Sequence, residues 1–590
     1  MLKDFFVFDT ETGKENADGS IQWHLNGRPE SFRFGVIYGH NFSKVIYTVN
    51  EFIKEFLHPR YKGKIIFAHN AEYDLNTIYG NIYAFDPNAI FNGKFISASN
   101  DNVFFADSTN IFGKIKLSEV GQMLGIKKPG LGNENLFSPK GITASEIIRC
   151  LTDCEIVYEG LFSIFTSAGD IKITQASLSM TYFRRSHQPH DIEYNENTTF
   201  FFDSYYGGRT EVFKLGLTHS TVIDVNSMYP YMMKSMKFPN PKYLKVEVGA
   251  KWGNQKTFIK YFKDQILNAH EGCAYITIEH KKTTFGFLPY KIKTTNAASD
   301  KGKLVFPTGR FSGCWNFPEI RFAMGKGAIE IINIEKIVYS QSMPTPFLTY
   351  VDRLYEQRLI AERDGNAFEK YRVKIFMNSL YGKFAQRIDE DCIYIPDLDS
   401  CYMEIRELQI AGRVKKLMLF NHIRNDAFLI LHSNKGWTCS YSIPSFASYI
   451  TSGGRVALLE KMLEYENRKI VYCDTDSVFF ENSVGVENEY NLGGWKMEDK
   501  IVTEILGLKN YKYQYIDKLG NLVKKHPIKG IPEKADFLDG VYSYENLLKT
   551  KEALRRNLKP GVLIKRIKKL KGGYDKREVL SNGETKPIHL

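Results

Sequence analysis

Short apolar runs of strand character fall at residues 5–8, 31–38, 44–48, 65–68 and 102–106, and apolar residues recur at helical spacing over 118–124 and 144–165. This pattern predicts one α/β domain over residues 1–180. A second region begins near Ile171, and its first strong strand is expected at 220–225. Short strands and turns follow from about 236 to 342, then a long helical run over about 346–386. A β-rich stretch at 387–435 precedes a helix at 442–465 and an apolar, strand-like run at 471–480. Past about Asp517 the chain turns basic and is expected to end as a small separate unit. The shifts in pattern divide the chain at 1–180, 181–235, 236–342, 343–386, 387–435, 436–524 and 525–590.

The run Val471-Tyr472-Cys473-Asp474-Thr475-Asp476-Ser477-Val478-Phe479-Phe480 carries two carboxylates two residues apart. On a continuous strand they share one face. Like charges so placed repel unless a cation lies between them, and a divalent metal serves. The same residues also suit a polar turn between two strands.

At 590 residues the chain exceeds one core and calls for roughly three to five domains or subdomains. An apolar fraction of 43% with 14% aromatics is that of a folded globular protein and excludes long disorder. The formal charge is +12, and from Lys551 to Lys571 nine Lys or Arg residues face one Glu. Leu554, Leu558, Val562, Leu563 and Ile567 space that run as a helix with a basic side, suited to a polyanion. The eight cysteines include no CxxC pair, Cys150 and Cys154 being the closest two. Neither a zinc site nor a disulfide framework is indicated, no window reaches the length of a membrane span, and a reducing compartment is expected.

Further chemistry lies elsewhere. Asp224 closes the apolar run Thr221-Val222-Ile223, in the sequence DVNSMYP, where a strand delivers side chains to a cleft. It is a candidate third ligand for the Asp474/Asp476 pair. Three carboxylates can hold two Mg²⁺ ions about 3.5 to 4 Å apart for phosphoryl transfer. On a helix Lys370, Lys374, Asn378 and Tyr381 share one face, which suits a triphosphate with a base stacked beyond it.

DVNSMYP, KIFMNSLYGKF and YCDTDS, in that order, resemble motifs A, B and C of the family B DNA polymerases. The resemblance implies a right-hand polymerase, with palm at 181–235 and 436–524, fingers at 343–386 and thumb at 525–590. By it, Asp224 and Asp476 match the metal-binding aspartates, the carbonyl of Val225 assists, and Asp474 supports. Lys374 matches the lysine that grips the incoming triphosphate. Tyr381 and Tyr229 match tyrosines lining the dNTP pocket, and Tyr229 crowds a 2′-hydroxyl. Arg363 is a further candidate phosphate contact. Lys509-Asn510-Tyr511 resembles the KxY element at the primer terminus, and Tyr205-Tyr206-Gly207-Gly208 resembles the YxGG element between exonuclease and polymerase domains.

Asp9 and Glu11 end the first strand, Asp74 follows another and Asp153 lies on a later helix. In that order they resemble the metal ligands of an RNase H-like DEDD 3′–5′ exonuclease over residues 1–180. His69, Asn70 and Tyr73 match positions that bind single strands. Lys128, with Leu131, resembles the family's lysine-containing element, and Ser108 a position touching single-stranded DNA or a priming protein. The family's third exonuclease motif has Tyr four residues before its aspartate, where this chain has Arg149.

Asp224 and Lys374 are 150 residues apart and Lys374 and Asp474 are 100 apart. The extra length coincides with the β-rich stretches 236–342 and 387–435, which resemble in position the two terminal-protein regions of protein-primed phage and linear-plasmid polymerases. The fold class is thus α/β and α+β multidomain, with two β-rich insertions. The expected activity is DNA-directed DNA synthesis with proofreading on a linear viral or plasmid genome, started from a terminal protein and accompanied by strand displacement. Expected cofactors are Mg²⁺ or Mn²⁺, two ions per site. Expected partners are primer-template DNA, dNTPs and a terminal protein, for a monomer in the host cytoplasm without membrane attachment. The same polymerase extending RNA or DNA primers is the alternative. A nuclease with a decayed polymerase half and a noncatalytic DNA-binding protein are the more distant readings.

Overall fold

A computed structural model describes residues 4–15, 21–23, 29–86, 89–91, 94–113, 115–129, 141–189, 192, 195–292, 302–388, 391–395, 402–410, 414–421, 427–433, 437–438, 441–466, 469–481, 485, 487–538, 540–556, 558–569 and 573–590. Leu131 and residues 570–572 of the basic run lie outside them.

The strand Phe5–Glu15 organises the first domain. It pairs in parallel with Lys64–Ala68, which pairs in parallel with Val103–Asp107, and antiparallel strands flank both sides. Side chains alternate along it, so Phe5 and Val7 pack into one layer while Phe6 and Phe8 pack into the other. Phe5 stacks on Tyr158 at 4.7 Å. Tyr158 belongs to the helix Ala144–Ala168, which starts on a capping box of Thr143 and Glu146. Asp9 and Glu11 continue the Phe5/Val7 face beyond the last residue paired to Lys64–Ala68, while still paired on the other side to Val36 and Phe34.

The second sheet has seven antiparallel strands, in the order Leu522–Lys525, Asn510–Ile516, Trp495–Gly507, Gly216–Val225, Ser477–Glu481, Ile470–Asp474 and Thr210–Val212. The run at 471–480, which suited either one strand or two strands joined by a polar turn, is the latter, a hairpin. Thr475 adopts φ +59°, its N–H donates to the Arg209 carbonyl at 2.7 Å, and the chain reverses between Asp474 and Ser477. Asp474 and Asp476 therefore flank a turn and do not alternate along one strand.

Residues 236–342 form a five-stranded sheet led by His270–His280 and Ile329–Met343. The helical run splits into Leu348–Arg363 and Ala367–Ser379. Gly365 at φ +68° makes the turn between them, and Asn366 caps the second helix. The described part of 387–435 holds a three-stranded sheet, Asp391–Ile395, Ala427–Ser433 and Val414–Asn421, and a helix, Tyr402–Ile410. The helix expected at 442–465 is Pro444–Glu464.

Two expectations fail near the carboxyl end. The basic run is not one helix: a helix at Thr550–Arg555 gives way to the strand Leu563–Lys569, paired with Val541–Leu547. Pro560 cannot continue a helix and Gly561 turns at φ +76°. Nor do the last residues stay apart. Thr585 N donates to Phe213 O at 2.8 Å, Leu215 N to Gly583 O at 2.8 Å and Val212 N to Tyr574 Oη at 3.1 Å. Arg577 reaches Glu211, buried beside Arg209, at 3.2 Å. Burial pushes Glu211 up, yet the two guanidiniums more than offset it and hold the carboxyl below its ordinary value.

Removing one partner of such a buried cluster costs on the order of 3 kcal/mol. Arg577→Ala is expected to lower the thermal midpoint clearly, whereas Lys586→Ala, which breaks an exposed pair with Glu578, leaves it unchanged. Equal midpoints in differential scanning calorimetry would refute the structural role of Arg577.

Candidate active sites

Strand register builds the second-sheet site. Asp224 pairs across its strand with Ser477 on one side and Lys496 on the other, and Val225 N donates to Asp476 O at 2.9 Å. This locks the strand carrying Asp224 to the turn carrying Asp476. Burial, then Asp476 and Glu498, push the Asp224 carboxyl up to about 7. Burial, then Asp474 and Glu498, raise Asp476. Asp474 has different company: Lys509 Nζ donates to it at 2.7 Å and Thr210 Oγ1 at 3.2 Å. Lys509 N in turn donates to Tyr472 Oη at 3.1 Å, with Tyr511 packed against Tyr472 and Phe479. Asp224 and Asp476 thus face one another while Asp474 is neutralised by lysine.

Beyond Asp224 the chain turns through Ser227 at φ +59° into the helix Met228–Ser235. Tyr229 on this helix lies against Tyr381, ring centroids 4.6 Å apart. A Cβ on Gly208 would come within 2.9 Å of both Tyr229 Oη and Thr475 Oγ1, so only glycine fits there, whereas Gly207 faces open space. The carbonyl of Gly207 accepts from Arg455, itself paired with the buried Glu319, and Tyr205 packs on the adjoining core. On the helix Ala367–Ser379, Lys374 and Asn378 are exposed, and Lys370 pairs with Glu362. Arg363 is exposed and paired with Asp364 at 2.9 Å.

Two side chains at the site were not singled out from sequence. Glu498 sits across the sheet from Val222, where its charge reaches both Asp224 and Asp476. Arg358 Nη1 donates to Ser227 Oγ at 3.0 Å and to Asn226 Oδ1 at 3.3 Å. Trp495-Lys496-Met497-Glu498 does alternate as a strand, but only its register reveals which partner Glu498 meets. Arg358 carries no local signal beyond its charge.

In the first domain Asp9, Glu11, Asp74 and Asp153 converge. Burial, then Asp74, Glu11 and Asp153, hold Asp9 well above its ordinary value. Burial and then Asp153 push Glu11 to about 7, against the opposing charges of Arg149 and Lys128. Burial takes Asp74 to about 7, although it accepts from Thr10 N at 3.1 Å and Thr10 Oγ1 at 2.7 Å. Asp153 Oδ2 accepts from Lys128 Nζ at 2.5 Å, while its Oδ1 is buried without a hydrogen-bond partner among the described residues. His69 bonds Ser108 Oγ at 2.9 Å, and burial lowers it to about 4, so it is neutral near pH 7. Ser108 is fully buried beneath it and is not a surface contact. Asn70 turns at φ +72° with its N–H on Asp107, and Tyr73 Oη bonds Thr12 Oγ1.

A family model described as DNA polymerase type B, organellar and viral, matches residues 126–427, half of the chain. The chain belongs to the type B DNA polymerases. It is similar to the DNA-directed DNA polymerase of Enterobacteria phage PRD1, 25% identical over 465 residues that cover 76% of this chain and 73% of that protein. A probable DNA polymerase of Neurospora intermedia is 26% identical over 375 residues, 60% of this chain and 35% of that protein. Among solved structures, Phi29 DNA polymerase complexed with primer-template DNA and incoming nucleotide superposes with a TM-score of 0.67 at 16% identity, covering 97% of this chain and 100% of that one. The fold is that of the Phi29 enzyme. This polymerase is a DNA-directed enzyme of a family that uses divalent metal ions and typically proofreads. Among its described residues no helix is long and apolar enough to cross a membrane.

Carboxyls whose folded pKa lies above the unfolded value bind protons that the unfolded chain releases, so stability falls as pH rises from about 4 through about 7. Asp224, Glu11 and Asp74 are such groups. The metal-free polymerase is expected to melt at a higher temperature at about pH 5.5 than at about pH 8. Asp224→Asn should narrow that difference. A midpoint that rises with pH over this range contradicts the arrangement.

Proposed function

We propose that this polymerase carries two metal-dependent active sites and starts synthesis from a terminal protein. The observation that carries the reading is the convergence of Asp224 and Asp476, from separate strands, beside the Tyr229/Tyr381 pair. The donor set is all oxygen and mutually repelling, which suits Mg²⁺ or Mn²⁺. Asp224, Asp476 and the Val225 carbonyl would hold the ions, with Glu498 nearby. Divalent ions held there would supply Lewis acidity toward the primer 3′-hydroxyl and charge neutralisation for the pyrophosphate.

The protein's own groups do the rest. Lys374, aided by Lys370 and Asn378, binds the triphosphate from the exposed face of the fingers helix. Arg358 positions the Asn226-Ser227 turn that sets the angle of Tyr229. Tyr381 packs against Tyr229, whose ring crowds a 2′-hydroxyl and selects dNTPs. Lys509, held on Asp474, approaches the primer terminus with Tyr511. Gly208 lets the segment from Tyr205 lie close against the turn at Thr475.

In the first domain, Asp9, Glu11, Asp74 and Asp153 form the 3′–5′ exonuclease site, and the unpartnered Asp153 Oδ1 fits a cation there. Arg149 stands where the family's tyrosine orients water, so that either proofreading is slower or Arg149 meets the scissile phosphate instead. His69, Asn70 and Tyr73 receive a frayed 3′ end, and Lys128 holds Asp153. The two β-rich regions would dock the priming protein and encircle DNA for strand displacement, in a monomer acting in the host cytoplasm on a linear viral or plasmid genome. Synthesis from RNA or DNA primers alone is the rival.

Asp476→Ala is expected to abolish dNTP incorporation and leave 3′ degradation intact, and Asp9→Ala with Glu11→Ala to do the reverse. Loss of both activities in either folded variant refutes the two-site reading. Tyr229→Val should raise ribonucleotide insertion by at least about tenfold relative to dNTP insertion. For priming, incubation with labelled dATP, metal and the proteins encoded beside the polymerase should yield a nucleotide covalently bound to protein. Extension of nucleic-acid primers with no labelled protein favours the rival.

A further inference from the structure

The first carboxylate site contains a side chain that an all-oxygen site does not need. Cys150 lies three residues before Asp153 on the helix Ala144–Ala168 and therefore on the same face. It is fully buried. Its Sγ is 3.6 Å from Asp9 Oδ2 and 3.9 Å from the Asp9 carbonyl. Ligand atoms of Asp9, Glu11 and Cys150 all lie within 4.8 Å of one another. Bonds of about 2.3 Å to sulfur and about 2.1 Å to oxygen let one ion span ligand atoms up to about 4.4 Å apart. The triangle is close to the size of a single coordination shell.

A thiol beside carboxylates can be only a weak donor to them. The second observation is Asp153, 7% exposed, whose Oδ1 is buried with no hydrogen-bond partner among the described residues although Oδ2 holds Lys128. Asp153 lies close enough to Asp9 and Glu11 for its charge to act on both. The cluster thus presents buried ligand atoms that protein donors leave unsatisfied.

We infer that Cys150 is a sulfur ligand to a divalent ion held by Asp9 and Glu11, giving this site an affinity for borderline or soft cations such as Co²⁺, Zn²⁺ and Cd²⁺ that an all-oxygen site lacks. Sulfur ligands select such metals, whereas Mg²⁺ takes oxygen. On binding, the Cys150 S–H gives its proton to solvent and a metal–sulfur bond forms, with no change of oxidation state. Cys154, one helical turn on, is outside the triangle. The inference rests on reading this cluster as the exonuclease site.

The test titrates the full-length protein with Co²⁺ and follows the thiolate-to-cobalt charge-transfer band, with Cd²⁺ affinity measured by calorimetry and 3′-end digestion of single-stranded DNA measured in Mg²⁺. The band is expected in the wild type and in Cys154→Ser. It should vanish in Cys150→Ser and in Asp9→Ala with Glu11→Ala. Cys150→Ser should weaken Cd²⁺ binding on the order of tenfold or more. A band missing from the wild type, or kept by Cys150→Ser, overturns the sulfur ligand while the exonuclease reading stands, provided Asp9→Ala with Glu11→Ala still abolishes digestion. Digestion that survives the double change overturns the exonuclease reading and this inference with it. Should Cys150→Ser fail to fold, X-ray absorption of the Asp476→Ala protein with one equivalent of Zn²⁺ decides. A sulfur scatterer at about 2.3 Å supports the ligand, and an oxygen-only shell overturns it.

Discussion

Like charges held close in a partly dry cleft constrain this molecule more than any other interaction. Interior strands of the two sheets carry Asp9 and Asp224, whose burial, added to repulsion from neighbouring carboxylates, drives their protonation equilibria upward. In each site one lysine neutralises one aspartate: Lys509 on Asp474, Lys128 on Asp153. The remaining pairs, Asp224 with Asp476 and Asp9 with Glu11, have no ion-pair partner among the described residues. A fold that keeps unneutralised carboxylates together forgoes stability that a hydrophobic or paired arrangement would retain, and a bound cation recovers it.

The scaffold that enforces this closeness is assembled from distant segments. The turn holding Asp476 is fixed by Arg209 through Thr475 N and by Val225 through the Asp476 carbonyl. Gly208 permits the approach of the preceding segment, and Arg455 ties that segment to Glu319 across the fold. Residues 573–590 close over the edge strand Thr210–Val212, itself paired to the strand that ends in Asp474. Sheet register, not local sequence, decides which carboxylates face one another.

That distinction explains what could be read in the sequence. Periodicity reveals an element when burial on one face is strong, as in 144–165, and motif order revealed the aspartates because their spacing survives without a structure. The run 471–480 reads equally as one strand or as two joined by a polar turn because the turn uses Thr475 and Asp476 in place of glycine, and a positive φ at Thr475 leaves no trace in composition. The basic run reads as a helix because its leucines recur at helical spacing, although Pro560 and Gly561 divide it. Glu498, Arg358 and Cys150 were invisible for a common reason: each acts through a neighbour remote in sequence, and a single glutamate, arginine or cysteine has no pattern of its own.

The account's central claim is that both carboxylate clusters are metal sites. Anomalous difference density at the manganese edge, from crystals of the unaltered polymerase soaked in Mn²⁺, tests it most directly. The account predicts peaks between Asp224 and Asp476 and beside Asp9 and Glu11, with none between Asp474 and Lys509. Density absent from both clusters, or centred on the Asp474–Lys509 pair, would contradict it.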